Sequence, residues 1–280
     1  MRLSKDWYVT QVLASIVEFQ SDLVKPLFCG GTSLMKGYGL IERFSEDLDF
    51  RLLNISGGGL TRSALRSLRR ELLDHIQNID HLTLLPESLD ARNASKFFSV
   101  GLTYPRSFPG TLSLRPEIKV EFNFIDKILT ECTVKEITPA IEPYYTTGIH
   151  ARIDCVSVIE TAADKLSALT WRTLNRKRNS ALDDQAMIRH LYDLEAILGS
   201  GLIDIQLLLI YADQIYDTDR KRGDLDTEFS VALKLALAKL SEDAEYRSAY
   251  SRYVLNMCFG ASEHPRFDEA LEMINTLVKE

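Results

Sequence analysis

The 280-residue sequence predicts a mixed α/β (α+β) chain, with a sheet and flanking helices followed by an all-helical C-terminal region. Three observations predict it. Segments rich in β-branched and aromatic residues, separated by Pro and Gly, fall at 96–104, 114–124 and 132–137. Beyond about residue 156 the apolar pattern is helical to the end. Between a glycine pair and a glycine triplet, Asp47-Leu48-Asp49-Phe50 alternates with the period of a strand. A mixed half followed by a helical half divides the chain at 1–150 and 151–280.

Residues 4–24 read as an amphipathic helix, with Trp7, Val12, Leu13, Ile16 and Phe19 at helical spacing. Leu27-Phe28-Cys29 reads as a buried strand that feeds the small-residue turn Gly30-Gly31-Thr32-Ser33. A short helix then opens at Ser33-Leu34-Met35-Lys36 and leads into the strand carrying Asp47 and Asp49. Gly57-Gly58-Gly59 breaks the chain. Thr61 N-caps a helix whose stripe is Leu65, Leu68, Leu72, Leu73, Ile76 and Ile79. The later helices are placed near 156–176, 184–198, 203–217, 227–240 and 266–278.

Composition narrows the class. A hydrophobic share of 45% with 26% charged residues is that of a soluble globular protein. A net charge of −7 argues against indiscriminate nucleic-acid coating, although a local basic surface stays open. Cys29, Cys132, Cys155 and Cys258 form no C-x-x-C pair and read as buried reduced thiols. The N-terminus lacks an apolar signal core and no run approaches membrane-spanning length, so a cytoplasmic protein is expected.

The chemistry concentrates in a few places. In a strand, Asp47, Asp49 and Arg51 share one face while Leu48, Phe50 and Leu52 share the other. Two carboxylates held together repel, and a divalent cation relieves that repulsion. A glycine turn nearby offers backbone N–H groups to phosphate oxygens. Acids, metal and phosphate cradle point together to nucleotidyl or phosphoryl transfer. In Lys119-Val120-Glu121-Phe122 the alternation sets Glu121 on a polar face, where it is a third carboxylate for the metal or a base for the attacking group. Lys165 borders the apolar stripe of the helix near 156–176 and is either a snorkelling surface lysine or a charge for a triphosphate. Arg172, Arg176, Lys177 and Arg178 are a solvated helix end or a contact for an RNA backbone. His190 and Asp193 share a helical face, and Asp193 within so apolar a helix needs a partner.

In this order the elements resemble the AbiEii/AbiGii-type nucleotidyltransferase toxins of the polymerase-β-like superfamily. Gly30-Gly31-Thr32-Ser33-Leu34 followed by Arg43-Phe44-Ser45-Glu46-Asp47-Leu48-Asp49-Phe50 looks like the family's first motif. Lys119-Val120-Glu121-Phe122 is similar to the second, Asp164-Lys165-Leu166 with Ala168-Leu169 to the third, and 189–194 to the fourth. The resemblance spans roughly 25–200 and implies a nucleotidyltransferase-like sheet and Mg²⁺-dependent transfer from a nucleoside triphosphate. It also implies an RNA acceptor such as tRNA and a cognate antitoxin. By the same resemblance Gly30, Gly31, Thr32 and Ser33 hold phosphate, and Asp47, Asp49 and Glu121 bind metal. Lys165 would face phosphate and Asp193 would be the late-motif acid. The fourth motif commonly reads Arg-Asp-Leu-Tyr-Asp-Leu, whereas His190 stands here for its first acid, a role that then falls to Asp193 or Asp184. Alternatives are a small-molecule nucleotidyltransferase and a catalytically lapsed member that works as a binding or regulatory module.

Overall fold

The structure is a computed structural model that describes residues 2–45, 47–105, 116–178, 183–222, 225–260 and 263–278. Glu46 of the acidic stretch, and residues 114–115 of the strand expected over 114–124, lie outside the described residues. The chain divides into two compact units: residues 1–39 with 45–156, and Leu40–Phe44 with Ser157–Glu280.

The first unit is built on a seven-stranded mixed sheet of order β3-β4-β5-β2-β1-β7-β6. Its strands are β1 (Val24–Cys29), β2 (Asp47–Asn54), β3 (Thr83–Arg92), β4 (Phe97–Thr103), β5 (Ile118–Ile125), β6 (Thr133–Ile137) and β7 (Ala151–Cys155). The central strand β2 runs antiparallel to β1 and parallel to β5. Phe28, Phe50, Phe122 and Phe98 stand opposite one another across β1, β2, β5 and β4. Their rings touch in series at 5.6, 5.3 and 4.8 Å between centroids. A one-residue slip would drive this aromatic row into solvent, so the row pins the register of the acids on the other face.

Helices α1 (Arg2–Glu18) and α3 (Arg62–Gln77) supply Val12, Leu13, Ile16, Leu68, Leu72 and Ile76 to the same core. Thr61 caps α3 as the sequence predicts, its hydroxyl accepting from the Ala64 N–H at 3.2 Å. The first helix stops at Glu18 rather than near 24, because Val24 already enters β1. The short helix α2 (Gly30–Lys36) begins at the glycine pair itself, so the small-residue turn is its first turn. None of the four cysteines is in a disulfide, and only Cys155 is buried; Cys29, Cys132 and Cys258 are half-buried.

The second unit centres on α4 (Val158–Asn175), capped by Ser157, which accepts from the Glu160 N–H at 3.2 Å. Around it lie α5 (Arg189–Gly199), α6 (Ile205–Arg222), α7 (Phe229–Glu242), α8 (Ala244–Met257) and α9 (Phe267–Asn275). Helix α8 carries a weak apolar stripe, which hides it from periodicity. Its buried face is made by Tyr246 and Tyr250, one turn apart. No helix among the described residues is long and apolar enough to cross a membrane.

Candidate active site

Two constellations carry the chemistry, one in each unit. In the first, Asp49 on β2 stands opposite Glu121 on β5, and Asp47 opposite Lys119, in the parallel register of the two strands. The apolar partners Leu48, Phe50, Val120 and Phe122 are at most 1% exposed, which leaves the carboxylates on the polar face. Glu121 forms an ion pair with Lys119 on its own strand. Among the described residues no group of three or more His, Cys, Asp or Glu side chains is gathered as a metal cluster. The three carboxylates share a face and a register, with Glu121 paired to its neighbouring lysine.

The glycine turn lies directly against these acids. Cys29 opposes Asp49 across β1 and β2, and Gly30 follows with φ of +76°. A Cβ at Gly30 would overlap the Asp49 carboxylate, so only glycine serves both backbone and site. Thr32 and Ser33 are buried, and the Thr32 hydroxyl donates to the Asp47 carbonyl at 2.5 Å. The Thr32 side chain thus braces the acid strand, whereas the buried Ser33 hydroxyl has no hydrogen-bond partner among the described residues.

The second constellation joins Lys165 on α4, Asp193 on α5 and Arg43 from the Leu40–Phe44 segment. That segment is held in the second unit by backbone bonds from Phe44 N–H to the Met257 carbonyl and from Phe259 N–H to the Glu42 carbonyl, both 2.9 Å. Asp193 is fully buried. Its Oδ1 accepts from Arg43 Nε at 2.6 Å, and its Oδ2 accepts from Arg43 Nη2 at 2.6 Å and Lys165 Nζ at 2.5 Å. Burial alone would raise the Asp193 pKa, but Arg43 and Lys165 outweigh it and hold the carboxyl well below the usual range. Burial pulls the Lys165 pKa below its ordinary value against the opposing attraction of Asp193. Two cations share one anion, so the cluster carries a surplus positive charge.

Arg43 is the residue that sequence reading left without a role. Its signal was available: Asp193 required a buried partner, and Arg43 stands four residues before Asp47. His190 is 8% exposed, neither ring nitrogen has a hydrogen-bond partner, and burial pushes its pKa well below the histidine range. Its neutral ring cannot replace a carboxylate.

Three arginines of the basic run make ion pairs within the chain. Arg172 donates to Asp184 at 2.5 Å, Arg176 to Asp183 at 2.6 Å, and Arg178 pairs with Asp243 and Glu245. Arg176 and Arg178 also lie over the Tyr246 ring at 5.0 and 5.1 Å. These three arginines are thus neutralised within the chain.

Residues 11–273 match the family described as the nucleotidyl transferase AbiEii toxin of type IV toxin–antitoxin systems. The chain belongs to the AbiEii nucleotidyltransferase toxin family. Among solved structures, this AbiEii chain is similar to MenT4, a nucleotidyltransferase toxin from Mycobacterium tuberculosis. The TM-score is 0.53 at 17% identity, covering 98% of this chain and 92% of that one. A protein from H. pylori provisionally assigned as a nucleotidyltransferase aligns with a TM-score of 0.47 and 14% identity, covering 99% and 94%. The likeness to MenT4 concerns the fold, a mixed sheet with flanking helices followed by helices. No curated protein matches the chain.

Proposed function

We propose that this AbiEii-family chain transfers a nucleotide from a nucleoside triphosphate to an RNA hydroxyl, tRNA being the first candidate, with Mg²⁺ as cofactor. One observation carries the reading: Asp47 and Asp49 share the polar face of a central strand, in register with Glu121 and against a glycine turn that no larger residue could form. The donor set suits a hard divalent cation, since all three side chains offer carboxylate oxygens and the missing Cβ of Gly30 lets the Asp49 carboxylate lie against the turn. Held by Asp47 and Asp49 with Glu121 as third acid, Mg²⁺ would supply Lewis acidity to phosphoryl oxygens.

The remaining steps use the chain's own groups. An acceptor hydroxyl attacks the α-phosphorus, and Glu121 accepts its proton. The bond from that phosphorus to the bridging oxygen breaks, and pyrophosphate leaves with the bond's electrons. The backbone of Gly30–Ser33 holds phosphate oxygens. Lys165 is the lysine whose cluster offers positive charge to a triphosphate. Asp193 acts as a positioning residue, because both its oxygens are occupied by Arg43 and Lys165.

In this reading residues 1–150 form the catalytic domain and 151–280 shape the acceptor groove. The protein works in the cytoplasm, opposed by a cognate antitoxin. A small-molecule acceptor is the second reading, favoured by the internal neutralisation of Arg172, Arg176 and Arg178. Incubation with each labelled nucleoside triphosphate, Mg²⁺ and total RNA decides between them. Label that enters RNA supports the first reading, and label that enters only small molecules supports the second.

A further inference from the structure

A pocket of about 230 Å³ opens at the C-terminal end of α4, lined by Trp171, Arg172, Asn175, Arg176, Asp184 and Met187. Two of its donors have no acceptor: Arg172 Nε and Asn175 Nδ2 are both shielded from solvent and without a hydrogen-bond partner. A buried donor without an acceptor is destabilising, so two in one pocket call for a ligand that accepts from them. The volume is several times the ~30 Å³ share of one water molecule.

The lining also selects the chemistry. Arg172 and Arg176 are already paired with Asp184 and Asp183, so the site holds little net charge and does not favour a phosphate. Met187, 1% exposed, and the half-buried Trp171 supply apolar and aromatic surface. The Arg172 guanidinium lies 5.5 Å from the Trp171 ring centre, and Asp184 fixes its plane through Nη1. A neutral, flat, acceptor-bearing ring meets all of these demands at once.

We propose that this pocket takes a nucleobase, whose carbonyl or ring-nitrogen acceptors receive the Arg172 Nε and Asn175 Nδ2 hydrogens while its face stacks on Trp171. The proposal rests on the nucleotide-transfer reading and adds to it a base-holding subsite. Lys165 and Arg172 are seven residues apart on α4, which sets them on one face about 10.5 Å apart along the axis. Phosphates near Lys165 and a base at Trp171 would lie along that face as one extended nucleotide.

Trp171 reports on its own occupancy. The chain has two tryptophans, Trp7 and Trp171, so a Trp7→Phe protein leaves Trp171 as the sole indole emitter. The full chain is titrated with each of the four nucleoside triphosphates, with a mixed-sequence single-stranded RNA hexamer, and with inorganic tripolyphosphate. The expected result is saturable quenching by a base-bearing probe, none by tripolyphosphate, and an apparent Kd raised at least tenfold by Asn175→Leu or Asn175→Asp. Circular dichroism and Tm confirm that both variants fold. Quenching by a triphosphate assigns the pocket to the donor's base, and quenching by RNA alone assigns it to the acceptor's. Silence with every base-bearing probe, an equal response to tripolyphosphate, or a Kd unmoved in a folded Asn175 variant overturns the inference. Transfer of label with Trp171 silent refutes the pocket alone. Quenching without transfer refutes the reaction alone.

Discussion

Arg43 and Asp193 are 150 residues apart in sequence and meet in a two-point contact, Nε to Oδ1 and Nη2 to Oδ2, each 2.6 Å. Neither side chain is more than 3% exposed. The contact ties the segment just ahead of the acid strand to the helix that holds Lys165 in place. Removing Arg43 takes away two charge-assisted hydrogen bonds and leaves Asp193 paired with Lys165 alone, at a cost of about 1.5–3 kcal/mol. Arg43→Ala should therefore lower stability by that order in urea denaturation. Arg43→Lys should recover only part of it, since ammonium cannot make the planar two-point contact.

The same cluster sets an acid limit on stability. The Asp193 carboxyl titrates well below its unfolded value near 3.9, so its contribution is complete above that value and is lost as pH falls toward the folded one. Denaturation midpoints of the wild type and Asp193→Asn should differ fully at neutral pH, and the gap should narrow progressively below about pH 5. A gap that stays constant down to pH 3 would show that the charge of Asp193 contributes nothing.

Gly30 and Gly39 form a natural control. Both have positive φ, +76° and +63°, yet a Cβ at Gly30 meets the Asp49 carboxylate while one at Gly39 meets nothing within 4 Å. Each change to alanine carries a backbone cost of about 1–2 kcal/mol. Only Gly30→Ala should also displace Asp49 and depress transfer, on the order of a hundredfold for a shift of about 1 Å. Measured kcat and Tm of the two variants separate the local backbone cost from the loss of the site.

Arg176 tests what the basic run is for. Its side chain is 4% exposed and its partner Asp183 is 8% exposed. Arg176→Ala should lower stability by about 1–3 kcal/mol, as for the loss of a buried charged hydrogen bond. The slope of RNA binding against salt should stay the same to within less than one phosphate contact.

The strand with the acids, its polar face and the need of Asp193 for a partner were legible in the sequence, because each follows from local periodicity or from the cost of a buried charge. The identity of that partner was not: Arg43 reaches Asp193 through tertiary structure that no local window contains. The partners of the arginine run were only partly legible for a related reason. Its neutralising acids lie in part close by, at Asp183 and Asp184, and in part at Asp243 and Glu245, far along the chain. The bounds of strand β3 were not legible because it is a mostly exposed edge strand with Pro86 inside it, which an edge tolerates. Short β7 buries only Ala151, Ile153 and Cys155, too few residues to show a strand pattern among Arg152 and Asp154.

The central claim is that Asp47 and Asp49 carry nucleotide transfer. The direct measurement is incorporation of labelled nucleoside triphosphate into total RNA with Mg²⁺ by the wild type, Asp47→Ala and Asp49→Ala, with Tm recorded for each. Transfer should vanish in both variants while Tm holds or rises, since each change removes a metal ligand and relieves like-charge repulsion. Full transfer by either variant would contradict the account.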